Sequence, residues 1–125
     1  MIIAGFGFRA YATLDSLQDA LFQAAAGRKI GALSTAADKA QSMVFQDLAE
    51  TLALPIIPIG ANALRAIQTP TQSATSTAER GTGSVAEAAA LVGAGQDAKL
   101  LQTRVISQDR LATCALAQAP DKEPT

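Results

Sequence analysis

The sequence predicts an α/β protein: a three-layer α/β/α single domain with a mixed, mostly parallel sheet and a C-terminal antiparallel hairpin. Three observations carry this expectation. In the first half of the chain short apolar runs alternate with stretches of helical periodicity, and a strand–helix–strand–helix–strand order builds a parallel sheet with right-handed crossovers. Near the C-terminus two apolar runs flank Ser107, Gln108, Asp109 and Arg110, the spacing of a hairpin. A chain of 125 residues with 49% hydrophobic content is the size of one domain with one core.

The elements follow in order. Residues 1–4 are apolar and lead into Gly5, Phe6 and Gly7, which reads as a buried strand stopping at a backbone turn. Thr13 or Asp15 is suited to cap a helix reaching about Ala26, with Leu14, Leu17 and Leu21 on its apolar face and Gly27 ending it. Residues 30–34 form a second strand, and residues 35–42 a polar loop carrying Asp38 and Lys39. A helix over 43–53 places Val44, Leu48 and Leu52 together, and Pro55 closes it and opens a third strand to Ile59.

Residues 60–67 read as a short helical turn and residues 69–77, rich in threonine and serine, as a loop. Ser84 with Glu87 three residues on matches a capping box for a helix reaching Gly93. Residues 100–106 and 111–117 form the hairpin strands. The domain is expected over residues 1–120, and a polar tail over 121–125 is expected to fray.

Composition removes several classes of function. Ten basic and eleven acidic residues give a net charge of −1, so there is no global field to hold a nucleic acid. An aromatic content of 4% leaves few rings for stacking bases. The absence of histidine rules out imidazole-based triads and imidazole-ligated metal sites. Cys114 is the only cysteine, which excludes an internal disulfide and fits a reducing cytoplasm. It reads as a small core residue and not as a nucleophile. No signal peptide and no membrane span is predicted.

Five segments resemble, in order and at matching spacing, the family formed by the cobalamin biosynthesis protein CobE and the C-terminal domain of CbiG. They are Gly5-Phe6-Gly7-Phe8-Arg9, Thr35-Ala36-Ala37-Asp38-Lys39, Thr69-Pro70-Thr71, Ser84 through Leu91, and Ala112 through Ala117. Arg104 falls where that family usually has lysine. Ser42 stands where glutamate is frequent, and Phe8 replaces a smaller residue. The resemblance implies a place in the oxygen-dependent branch of cobalamin biosynthesis and a precorrin or corrinoid ligand. The larger relative carries further domains and is associated with opening a lactone ring on a cobalt-precorrin, releasing a two-carbon fragment.

A tetrapyrrole of this kind is a large apolar ring edged by carboxylates, so its binder needs an apolar patch flanked by separated positive groups. In an open parallel sheet ligands settle outside the strand C-termini, where Arg9, Lys39 and the loop at Gly60 are expected. The turn at Gly81, Gly83 and Ser84, beside Arg80, offers helix N-terminal amides to an anion. Gly5, Gly7, Arg9, Thr35, Lys39, Arg80, Gly81, Gly83 and Ser84 are therefore the candidate ligand contacts. No catalytic residue, metal ligand or cofactor is assigned. The expected partners are the tetrapyrrole and other enzymes of the pathway, with no nucleic acid and no membrane.

Plainer readings stand beside these. Gly5 and Gly7 serve equally well for a tight strand exit, and Arg9 and Lys39 for solvated surface charges. Gly5, Gly7 and Ala10 fit the dinucleotide fingerprint by letter, but no acidic residue closes the second strand. Ser84 and Glu87 are explained by capping alone, and residues 69–77 by a connector or by a lid. Three functions remain: a binder that holds or passes on a precorrin, a lactone or carbon–carbon hydrolase using Lys39, Asp38 or Glu87, and a small anion- or nucleotide-binding regulatory module served by the same glycine turns. The first is preferred, because acid–base catalysis without histidine requires a strongly perturbed lysine or carboxylate.

Overall fold

The computed structural model describes residues 1–120; the tail expected at 121–125 lies outside the described residues. Five strands and six helices follow one another as β1 (Ile2–Phe8), α1 (Leu14–Ala25), β2 (Ala32–Ala36), α2 (Ala37–Ala40), α3 (Met43–Leu52), β3 (Ile56–Ile59), α4 (Ala61–Ala66), α5 (Ala74–Arg80), α6 (Val85–Ala94), β4 (Lys99–Ile106) and β5 (Ala112–Gln118). The strands form one sheet in the order β3-β2-β1-β5-β4. β1 pairs parallel with β2, and β2 with β3; β5 pairs antiparallel with both β1 and β4. The expected mixed sheet and C-terminal hairpin are both present.

The alternation of strand residues sorts side chains onto two faces. On one face Ala4, Phe6, Leu33, Cys114 and Leu116 pack against Leu17 and Leu21 of α1 and Phe45 and Leu48 of α3. The opposite face is covered by α6, which touches all five strands. Ala86, Ala88, Ala89 and Ala90 are buried there, and such short side chains let the helix lie close to the sheet. The Ser34 hydroxyl donates to the Ala89 carbonyl at 2.8 Å, fixing the helix over the sheet centre.

Helix α1 begins where the sequence places it. The Thr13 hydroxyl accepts from the Ser16 amide, and the Ser16 hydroxyl accepts from the Thr13 amide, a capping box with serine in the third position. Its end is left-handed, with Ala26 at φ 46° and Gly27 at φ 86°.

Four expectations are corrected. β1 does not stop at Gly5 but runs through both glycines to Phe8, because Gly5 lies directly beneath α6. A Cβ at Gly5 would come under 3.0 Å from the Ala86 carbonyl oxygen and the Ala90 amide nitrogen. β2 begins later than expected and includes Thr35, whose hydroxyl donates to the Phe6 carbonyl at 2.9 Å. Residues 74–80 are not loop but helix α5, capped by the Ser73 side chain. Finally, Ser84 caps α6 through the Glu87 amide, but the Glu87 carboxylate does not return to Ser84. It accepts instead from Thr71 and from the Arg104 amide.

Candidate functional site

The C-terminal ends of β1 and β2, the start of α6 and the β4–β5 hairpin converge on a cleft of about 610 Å³, within the size range of small-molecule sites. Five cationic side chains line it: Arg9 after β1, Lys39 on α2, Arg80 on α5, Arg104 on β4 and Arg110 in the hairpin turn. They are half of the chain's ten lysines and arginines. No carboxylate is among the described lining residues, so the cleft is locally positive in a chain of net charge −1.

Lys39, Arg80 and Arg110 each have local support. Lys39 is held with its ammonium 5.1 Å from the centroid of the Phe8 ring, a cation–π contact. Phe8 is in turn stacked on Phe45 at 5.6 Å, so the hydrophobic core fixes the platform beneath the lysine. Arg80 makes a two-pronged pair with Asp38 at 2.6 and 2.8 Å, linking α5 to α2 across the cleft mouth. That guanidinium holds the Asp38 carboxyl below its ordinary value.

Arg110 adopts a left-handed backbone at φ 63°, which a non-glycine residue enters only when its surroundings enforce it. Asp109 supplies the enforcement. Its carboxylate accepts from the Ser16 hydroxyl at 2.5 Å, the Ser107 hydroxyl at 2.6 Å and the Leu111 amide at 3.1 Å. These donors, Ser107 foremost and Ser16 next, keep the Asp109 carboxyl below its usual range, and they tie the hairpin turn to the start of α1.

The apolar part of the wall comes from Phe8, Val85, Ile106, Leu111 and Ala112. Tyr11 stands at the rim, 81% exposed, while Ser73, Thr75, Ser76 and Thr113 add hydroxyls. The cleft therefore presents apolar surface between separated positive charges.

Of the nine candidate contacts, Gly7, Arg9, Thr35, Lys39 and Arg80 line this cleft and the other four do not. Gly5 is enclosed between β1 and α6. Gly81 ends α5 at φ 70°, Gly83 packs against the Gln72 side chain, and Ser84 is buried as the α6 cap with only its neighbour Val85 reaching the wall. Thr35 lies at the wall but spends its hydroxyl on the Phe6 carbonyl. Sequence reasoning did not nominate Arg104, Arg110 and Tyr11. The arginine next to a turn-forming Asp109 was the available signal for Arg110; for Arg104 it was the basic position shared with the resembling family.

Of the groups considered for acid–base work, Glu87 is fully buried away from the cleft, and Asp38 is bound by Arg80. Among the described residues no cluster of three or more His, Cys, Asp or Glu is placed to hold a metal ion, and no helix is long and apolar enough to cross a membrane.

Comparison with known proteins agrees with this architecture. The model of the family described as cobalamin synthesis G C-terminus matches residues 2–117. The fold superimposes on CobE, a protein from the cobalamin (vitamin B12) biosynthetic pathway, with a TM-score of 0.87 and 27% identity over 98% of this chain and 93% of that one. It also superimposes on the cobalamin biosynthesis protein chiG from Agrobacterium tumefaciens, with a TM-score of 0.75 and 30% identity over 97% and 100% of the two chains. A cobalamin biosynthesis protein G homolog from Sulfolobus solfataricus shares the fold at 17% identity and a TM-score of 0.70; the match covers 95% of this chain but 37% of that one. No curated protein sequence matches. With the family's pattern running through nearly all of its length, the chain belongs to the cobalamin synthesis G C-terminus family and is a protein of cobalamin biosynthesis.

Proposed function

We propose that this protein binds a precorrin or corrinoid intermediate of the oxygen-dependent cobalamin pathway in the cytoplasm, and holds it or passes it to the pathway's enzymes. The observation that carries this reading is the convergence of Arg9, Lys39, Arg104 and Arg110, with Arg80 paired to Asp38 beside them, on one partly apolar cleft. A polycarboxylate macrocycle matches separated cations better than a compact anion does, because its acids are spread around a ring. A ring broader than the cleft lies across its mouth, where Tyr11 supplies an exposed aromatic edge.

The energetics are sufficient. A hydrogen-bonded contact to a charged group nets about 1.5–3 kcal/mol. Three or four of them leave at most about 8 kcal/mol after association costs of at least ~4 kcal/mol, which reaches the micromolar range. Binding of this strength requires no covalent step.

The test is a titration of the protein with hydrogenobyrinic acid, with adenine nucleotides as the competing class. Hydrogenobyrinic acid is expected to bind at micromolar or tens-of-micromolar affinity and the nucleotides to be ignored. Arg9→Ala and Lys39→Ala are each expected to weaken binding by about tenfold, one charged contact apiece. Unchanged affinity in both variants rejects the site.

A further inference from the structure

The geometry points to Glu87 as the positioning residue that sets one wall of the cationic cleft, an inference that rests on the proposed ligand site and deepens it. Glu87 is fully buried, 0% exposed, on the first turn of α6. Its Oε1 accepts from the Thr71 amide at 2.9 Å, and its Oε2 accepts from the Thr71 hydroxyl at 2.7 Å and the Arg104 amide at 2.8 Å. All three donors are neutral. A carboxylate buried among neutral donors is expensive to desolvate, so a side chain used only to fill space there would be apolar.

The carboxylate offers what no apolar or amide side chain does at that position, two oxygens that accept from every side and donate nothing. A glutamine would turn its NH₂ toward one set of these donors and leave it unpaired.

The donors explain what is being held. The pairing of β4 with β5 shifts register between Gln102 and Val105, and Arg104 falls in that irregular stretch. Its amide goes to Glu87, so the bulged backbone that carries the Arg104 side chain into the cleft is fixed from beneath by α6. Thr71 opens the segment leading into α5. Around it the Thr69 hydroxyl donates to the Thr71 carbonyl, the Gln72 side chain donates to the Thr69 carbonyl, and the Ser73 amide donates to the Gly83 carbonyl.

That closed segment carries Ser73, Thr75, Ser76 and Arg80 to the cleft. One carboxylate thus joins α6, β4 and the α5 segment, and with them two of the five cations. Arg9, at the end of β1, is placed by other elements and is independent of it.

The experiment combines amide hydrogen exchange with hydrogenobyrinic acid titration in wild type, Glu87→Gln, Thr71→Val and the pairings of Glu87→Gln with Arg104→Ala and Arg9→Ala. In Glu87→Gln the amides of Thr71 and Arg104 are expected to exchange faster while those of β1 stay protected, and affinity is expected to fall about tenfold. The loss is expected to be non-additive with Arg104→Ala and additive with Arg9→Ala, because coupling is confined to residues sharing contacts. A general loss of structure would not produce that difference.

Unchanged exchange at both amides in folded Glu87→Gln, or equal additivity with both arginines, overturns the proposal. If Glu87→Gln does not fold, Thr71→Val decides. Removal of one hydroxyl donor is expected to speed exchange at Arg104 and weaken binding about threefold, and a variant identical to wild type in both overturns the proposal. If the wild-type protein ignores hydrogenobyrinic acid, the proposed ligand is wrong, while the two amides still test the clamp.

Discussion

Replacing Gly5 with alanine should be among the most damaging single-methyl additions available in this chain. Gly5 sits mid-strand in β1 with α6 directly above it, and an added Cβ would lie under 3.0 Å from the Ala86 carbonyl oxygen, the Ala90 amide nitrogen and the Ala90 Cβ, the last at 2.8 Å. The first two are backbone atoms inside a helix and cannot rotate away. Carbon–oxygen contacts normally relax to about 3.3 Å or more, so α6 must withdraw by about 1 Å along much of its length.

That retreat also opens the contacts that α6 makes with all five strands. Overpacking of this kind costs about 1–3 kcal/mol, and the upper end is expected because the obstacle is backbone. With a denaturant slope of about 1–3 kcal/mol per molar urea, the unfolding midpoint should fall by about 1–3 M. Gly7→Ala is the internal control. Its Cβ would meet the Thr113 hydroxyl at 3.0 Å and Val85 Cβ at 3.3 Å, side-chain atoms that can shift, so a loss below about 1 kcal/mol is expected. Urea melts followed by far-ultraviolet circular dichroism read both. If Gly5→Ala is as stable as wild type, or less harmful than Gly7→Ala, the account of α6 resting on bare backbone is wrong.

Two further outcomes follow from titrating groups. Because its hydroxyl and amide donors lower the folded pKa of Asp109 below the ordinary 3.8, its stabilisation is fully present above the unfolded value and disappears as pH falls through the folded one. Asp109→Asn should therefore be less stable than wild type at neutral pH and converge with it in acid, which urea melts at neutral pH and at about pH 3 would show; a constant difference would refute it. Cys114 is wholly buried and burial pushes its thiol pKa far up, so Ellman's reagent should leave it unmodified in native protein and modify it rapidly in denaturant. Fast reaction in the native state would contradict its place in the core.

The features that were legible in the sequence are those set by local chemistry. Thr13 and Ser84 announce their helices because each side chain caps an amide three residues on. The hairpin is legible because Ser107 through Arg110 interrupt two apolar runs. Gly5 and Gly7 were misread as a turn because glycine marks both a turn and a place where another element's backbone comes close, and sequence does not distinguish them.

Helix α5 was hidden for a related reason. Serine and threonine have weak helix propensity, and what orders residues 74–80 is the Ser73 cap and the contacts of the surrounding segment. At the site, Arg9 and Lys39 were visible because they follow strands. Arg104 was not, because its route to the cleft depends on a register shift in β4, and Glu87 looked like half of a capping box until its tertiary donors were seen.

The pairing of β1 with β5 has a practical consequence. Phe8 lies opposite Ala112 at the cleft end, whereas Ile2 lies opposite Gln118 at the other, and a strand of seven residues spans roughly 20 Å. Ile2 and Gln118 thus stand at the end of the sheet's central pair away from the cleft. A fluorescent label carried on the side chain of Ile2 or Gln118 therefore stands about a strand's length from the cleft and leaves its mouth clear.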